Sequence, residues 1–203
     1  MTGGPSKASC LGYDEAGGLG EGWGDFFSLL LRQRSEYTRS SVPDLAFGDW
    51  ASAKPTGLRR YKYSLDLRVH PETYSWLDKP DYLDVHYIGP VWTAALYEVY
   101  WNLRDKLPFT DNWLSVSLDH ANTLMLRIIT LGMQLQPCMP TFTIARDAVL
   151  QAERIITGGK YQCDVWRGFA NRGLGFGATL QLDADGLIEG RAESKEVPTV
   201  CIL

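Results

Sequence analysis

"AGGLGEGWGDFF" occupies residues 16–27, and its reading sets the reading of the whole chain. A glycine-rich run enters an apolar segment at Glu21, and Asp25 follows four residues later. Residues four apart share one helix face, so the two carboxylates point the same way. Trp23, Phe26, Phe27, Leu30 and Leu31 recur at the three-to-four spacing of a buried helical stripe. Like charges at that spacing repel by roughly 0.2–0.5 kcal/mol unless a cation lies between them. One explanation is a solvated helix start, where the macrodipole favours acids. The other is a metal site, with Glu21 as a ligand and Asp25 orienting a neighbouring histidine ligand. Glycines at 17, 18, 20, 22 and 24 favour the second, because they strip side chains from around the carboxylate and let another element come close.

The chain has 203 residues, 45% of them hydrophobic, with seven Trp, ten Tyr and seven Phe. That composition suits one domain with a sizeable core and little disorder away from the ends. A net charge of −4 without a basic cluster argues against nucleic acid as the main partner. There is no apolar run long enough for a membrane span. "MTGGPSKASC" has no apolar signal-peptide core, and Cys201 stands third from the end where a prenylation box needs it fourth. Cys10, Cys138, Cys163 and Cys201 show no CxxC spacing, which argues against a zinc knuckle. They fit two disulfides in an oxidising compartment or four inert thiols.

Residues 1–20 read as loop, and helix signals run from Glu21 to Gln33. Residues 35–82, with Pro43, Pro55, Pro71 and Pro80, show no sustained period. An irregular stretch of that length in a compact domain is unusual and often functional. Apolar spacing predicts helices over 87–106, 117–135, 141–156 and 161–173. Pro137 and Pro140 end the second of these, Thr141 or Thr143 caps the third, and Gly158-Gly159 stops it. Beyond Gly177 the pattern decays into a polar tail, 179–203, of little expected order. The expected fold is mostly α with one long irregular loop, about residues 35–82.

"EAGGLGEGWGDFF" (15–27) resembles the segment that carries the third zinc ligand in the fungalysin family, secreted fungal metallopeptidases of the thermolysin-like group. "TGGPS" (2–6), "GLRRYKYS" (57–64), "VHYIGPVWTAALYEVYWNL" (85–103), "LGMQLQPCMPTFTIARDAVLQAE" (131–153) and "GFANRGLG" (168–175) follow the family's order, so the resemblance spans about residues 2–178. It implies the C-terminal helical subdomain of a thermolysin-like peptidase, with one zinc ion in the complete enzyme. It also implies protein or peptide substrates, no nucleic-acid or membrane partner, a monomer when complete, and secretion directed by a signal peptide further upstream. Glu21 matches the third zinc ligand, and Asp25 the carboxylate that hydrogen-bonds a zinc-bound histidine. His86, in "DVHYIGPVW", reads on its own as a cap or core residue; the resemblance makes it a hydrogen-bond donor to the tetrahedral oxyanion. Asp84 or Asp81 would orient it and keep it protonated. Arg59, otherwise a surface arginine, matches a group that holds the substrate's main-chain carbonyl, and Arg60 beside it leaves the register open. Tyr13 falls one position off a transition-state tyrosine of some relatives and is not carried over. His70 and His120 read as surface or packing residues. Disulfides fit a secreted family; Cys138 and Cys163 bracket one helix and a return turn could bridge them, but the pairing stays open.

Such peptidases carry HExxH upstream of "TGGPS": two histidines for zinc and a glutamate to activate water. This sequence has only His70, His86 and His120, no two of them four apart. The expectation is the C-terminal half of a fungalysin-type enzyme, beginning at an internal methionine and inactive alone. The alternative is a non-catalytic helical binding or interaction protein that kept the fold and lost the metal.

Overall fold

The computed structural model describes Thr2, residues 8–185 and residues 187–202. Met1 and, apart from Thr2, the "TGGPS" block lie outside the described residues. The elements in chain order are α1 (Asp14–Leu31), α2 (Asp49–Ser52), α3 (Val85–Arg104), α4 (Ala121–Leu135), α5 (Phe142–Thr157), α6 (Gln162–Asn171), β1 (Thr179–Leu182) and β2 (Ile188–Ala192). The fold is mostly α, as expected, and each predicted helix is present with its ends moved by a few residues.

The largest shift is at α1, which starts at Asp14 rather than Glu21. Glycine in a helix interior costs about 0.8–1 kcal/mol relative to alanine, which is why residues 16–20 read as loop. Tertiary contact reverses that preference. A Cβ on Gly18 would lie 2.0 Å from the Ile88 side chain, and one on Gly22 would lie 2.6 Å from the Gly89 carbonyl oxygen. A Cβ on Gly89 would in turn lie 2.8 Å from Glu21 Cβ and 2.9 Å from the Gly22 nitrogen. Helices α1 and α3 therefore meet backbone to backbone, and Thr93 Oγ1 donates across the seam to the Gly22 carbonyl at 2.9 Å.

Every residue of α3 from Ile88 to Trp101 is buried, which marks it as the central helix. Its N-terminus is capped by Asp84, and Pro90 removes the bond that would return to the His86 carbonyl. Helix α6 packs on another side, where a Cβ on Gly168 would lie 2.6 Å from Val99 Cα. Helices α4 and α5 form a pair beside this layer, and Thr141 caps α5 through the Ile144 N–H at 3.3 Å. Trp92 joins the layers: its ring centroid lies 5.1 Å from Trp23, 5.3 Å from Phe142 and 5.6 Å from Phe169.

Residues 35–82 hold only α2, a 3-10 turn at Tyr74–Asp78 and an isolated antiparallel bridge between Leu45 and Tyr63. A fully buried arginine, Arg172, ties this segment down. It donates to the Ser64 carbonyl at 2.7 Å and the His70 carbonyl at 2.6 Å, and pairs with Glu98 at 3.1 Å.

The segment after Ala178 differs from the expected tail. Strands β1 and β2 pair antiparallel, Thr179 opposite Ala192, and Arg191 reaches Glu15 of α1 and Asp78, each at 2.6 Å. Glu15 is 3% exposed and needs a cation, which the hairpin supplies. Cys163 pairs with Cys201, and Cys10 with Cys138. A Cys138–Cys163 bridge is not formed, because the folded tail brings Cys201 to α6 while Cys10 sits against the α4–α5 turn, accepting from the Met139 N–H at 3.1 Å.

The seam gives a paired prediction. Gly22→Ala will destabilise the chain by about 1–3 kcal/mol, since backbone must move to admit the methyl. Gly24→Ala, on the same helix with nothing within 4 Å, will be neutral or stabilising by up to about 1 kcal/mol. Urea denaturation of the two variants checks both.

Candidate functional site

Three separate stretches meet at the carboxylate pair. Helix α1 presents Glu21 and Asp25, the irregular segment brings Arg59 and Tyr63, and the first turn of α3 brings His86. Arg59 binds Asp25 in a fork: Nε donates to Oδ2 and Nη2 to Oδ1, both at 2.7 Å. The same Nη2 donates to Glu21 Oε2 at 3.2 Å. This is the cation that lets two acids share a helix face. The Arg59 and Asp25 side chains are 7% and 2% exposed, so the pair is dry and its bidentate geometry is strong. Burial pulls the Arg59 pKa down, but the hydrogen bond and charge of Asp25 outweigh that and leave it raised. Tyr63 donates its hydroxyl to Asp25 Oδ2; burial first, then the Asp25 charge, push its pKa well up, so the phenol keeps its proton. The Phe47 ring covers the guanidinium at 4.8 Å.

Glu21 is the wetter acid. His86 Nδ1 lies 2.7 Å from Glu21 Oε2, with side-chain exposures of 56% and 34%. An ionised carboxylate only accepts, so Nδ1 carries the proton and Nε2 is the nitrogen left for another partner. The seam produces this contact: Gly89 touches Glu21, and His86, three residues earlier, lies one turn nearer the α3 N-terminus.

Glu21, Asp25, Arg59 and His86 thus come together. Several contacts expected for them do not form. Asp25 touches no histidine of this chain; a carboxylate this buried takes a guanidinium and a phenol instead. Of its roughly four lone-pair directions, three are filled. Neither Asp84 nor Asp81 orients the His86 ring. Asp84 accepts the His86 backbone N–H at 2.8 Å as the cap of α3, while Asp81 pairs with Arg60 at 2.6 Å. Arg60 turns outward over the Tyr87 ring at 4.5 Å, so Arg59 is the arginine that meets the carboxylate pair. Tyr13 is 70% exposed. His70 is fully buried and packs on Tyr63. Tyr63 carries no signal of its own in the sequence, where Tyr61 and Tyr74 look alike; its backbone pairing with Leu45 and its hydroxyl on Asp25 distinguish it in the fold.

A catalytic zinc takes three protein ligands and leaves one position open. Among the described residues no three His, Cys, Asp or Glu side chains are arranged to hold a metal ion. Glu21 offers one carboxylate, and its Oε2 already accepts from the Arg59 guanidinium and faces the His86 ring, so the residues here do not by themselves fit zinc.

The pairings yield a test of the register. Arg59→Met strands a buried Asp25 and will cost about 3–5 kcal/mol. Arg60→Met breaks a partly exposed pair and will cost less than about 1 kcal/mol. Denaturant midpoints at pH 7 read both.

Residues 1–178 match the model of the fungalysin metallopeptidase (M36) family. The chain is 43% identical over 208 residues to an extracellular metalloproteinase of Pyrenophora tritici-repentis, covering 99% of this chain and 30% of that protein. It is 42% identical over 205 residues to extracellular metalloproteinase 10 of Coccidioides posadasii and 40% identical over 210 residues to extracellular metalloproteinase 4 of Arthroderma gypseum, covering 99% of this chain and 31% of each protein. The chain therefore spans about a third of the length of these curated relatives. No helix among the described residues is long and apolar enough to cross a membrane. With a match over most of its residues and about 40% identity to fungal extracellular metalloproteinases, the chain belongs to the fungalysin metallopeptidase family.

Proposed function

We propose that this chain forms one wall of the active site of an extracellular zinc metalloendopeptidase. Glu21 gives the metal one carboxylate, and His86 and Arg59 face the peptide substrate. The observation that carries this reading is that Arg59 and His86, from two other stretches of chain, meet on one oxygen of the partly exposed Glu21 side chain. In its doubly protonated form His86 can donate from Nε2 to an oxygen that gains negative charge, while Glu21 holds the ring by Nδ1. Arg59 keeps Asp25 and Glu21 in register on α1 and presents its remaining N–H groups to a main-chain carbonyl. Two disulfides suit the extracellular setting that the relatives' names state. A single carboxylate does not satisfy zinc, so the other ligands and the general base come from outside this sequence, and the chain alone is inactive.

Two preparations test the reading: the chain alone, and the chain fused to the HExxH-bearing segment of a relative. The chain alone will take up no stoichiometric zinc in equilibrium dialysis and will not cleave casein. The fusion will cleave casein and stop when chelator is added. In the fusion, Glu21→Gln will lose zinc and activity together. His86→Phe will keep its zinc and lose roughly 100- to 1,000-fold in kcat, the effect of removing one oxyanion donor. Chelator-sensitive cleavage by the chain alone, or a Glu21→Gln fusion with unchanged zinc content, contradicts the proposal.

A further inference from the structure

We propose that the buried His70–Glu72 pair holds one proton that a neutral imidazole beside an ionised carboxylate would lack, and that this proton positions Tyr63, and through it Arg59, on Asp25. The inference rests only on contacts within this chain and is independent of the peptidase reading. His70 is fully buried and Glu72 is 1% exposed. Both ring nitrogens face oxygen: Nδ1 lies 3.2 Å from the Lys62 carbonyl and Nε2 lies 2.8 Å from Glu72 Oε2. The carbonyl has no hydrogen to give. The other Glu72 oxygen accepts from the Tyr82 hydroxyl at 2.6 Å, and burial, with the Glu72 hydrogen bond and charge, pushes the Tyr82 pKa up, so that phenol stays a donor.

With Glu72 ionised and His70 neutral, one of the two ring contacts sets lone pair against lone pair in a dry interior, and a buried polar atom left unpaired is costly. One added proton, on the ring or on the Glu72 carboxyl, satisfies both. Arg172 lies against the His70 and Glu72 carbonyls; it pairs with Glu98 of α3 at 3.1 Å and also feels the Glu72 charge, and Glu98 is shared with Arg39 at 3.6 Å. Arg60 lies over the Tyr82 ring, and the rings of Tyr61 and Tyr63 face the imidazole. Tyr63 stacks on His70 with centroids 5.3 Å apart, and its hydroxyl grips Asp25. The proton thus fixes the platform on which Tyr63 lies.

The sign of the pH dependence follows. An unfolded histidine releases its proton above about pH 6.5. The folded pair keeps it, so the stabilisation is complete below that pH and is lost as pH rises. One proton retained on folding raises the unfolding constant by up to about tenfold per pH unit. Glu72→Gln removes the need for it: the amide NH₂ donates to Nε2 of a neutral ring, and the amide oxygen accepts from Tyr82.

The test compares urea unfolding of the wild-type chain and Glu72→Gln from pH 6 to 9, with exchange of the Arg59 Nε–H followed by NMR. The wild type will lose stability more steeply than the variant, by up to about tenfold in the unfolding constant per pH unit. Its Arg59 Nε–H will exchange faster as pH rises beyond the intrinsic base-catalysed increase, and that excess will be absent in Glu72→Gln. Parallel slopes overturn the proposal. A second measurement needs no variant: ¹⁵N and ¹³C shifts of His70 and Glu72 in the wild type at pH 6. Two protons on the ring, or one there and one on the carboxyl, support it; a single proton on the pair overturns it.

Discussion

Helices α1 and α3 touch backbone to backbone, and the placing of the functional groups follows from that contact. Gly18 and Gly22 on one side and Gly89 on the other leave no room for a Cβ. Closeness of this order aligns Glu21 with the first turn of α3, where His86 sits. Side chains at the seam would separate the helices and open the distance between the two residues. The glycines lose helix propensity, and burial of the rings flanking the seam offsets that loss: Trp23 and Trp92 meet edge to face and are nearly or fully inaccessible.

Electrostatics then divide the carboxylate pair into unlike halves. Asp25 is dry and bound on both oxygens, so it acts as a fixed anchor for Arg59. Glu21, one turn earlier, keeps contact with solvent and shares Oε2 between an arginine and a histidine. Two acids on one helix face are tolerated because a single guanidinium spans them. The same logic recurs at Glu15, whose buried charge is met by Arg191 from the C-terminal hairpin, and at Glu98, met by Arg172. Each of these arginines reaches from irregular backbone or a C-terminal segment into the helical core, and so fixes a part of the chain that periodicity does not specify.

The long helices were legible because apolar spacing is a local property of each segment. The glycine run reads as loop in the sequence for the complementary reason: its helicity depends on α3, more than sixty residues away. The C-terminal hairpin has no local signal either, since β1 and β2 are short and Arg191 and Cys201 find distant partners. At the site, motif resemblance pointed to Glu21, Asp25, His86 and Arg59, which the structure brings together, while their hydrogen-bond partners were not legible. Asp84 lies two residues from His86 and looks like its partner, yet at a helix start a carboxylate in that position caps backbone. Tyr63 and the His70–Glu72 pair carry no local signal, because buried polar networks depend on three-dimensional packing.

The most direct test of the central claim is a crystal structure of the Gly89→Ala chain, read at the Glu21–His86 contact. If the glycine seam holds the two residues together, the added methyl will push α3 from α1 and break the 2.7 Å contact, while the Arg59–Asp25 fork, anchored within α1 and the irregular segment, will stay formed. A Gly89→Ala structure that retains the Glu21–His86 hydrogen bond at its present length would contradict the account.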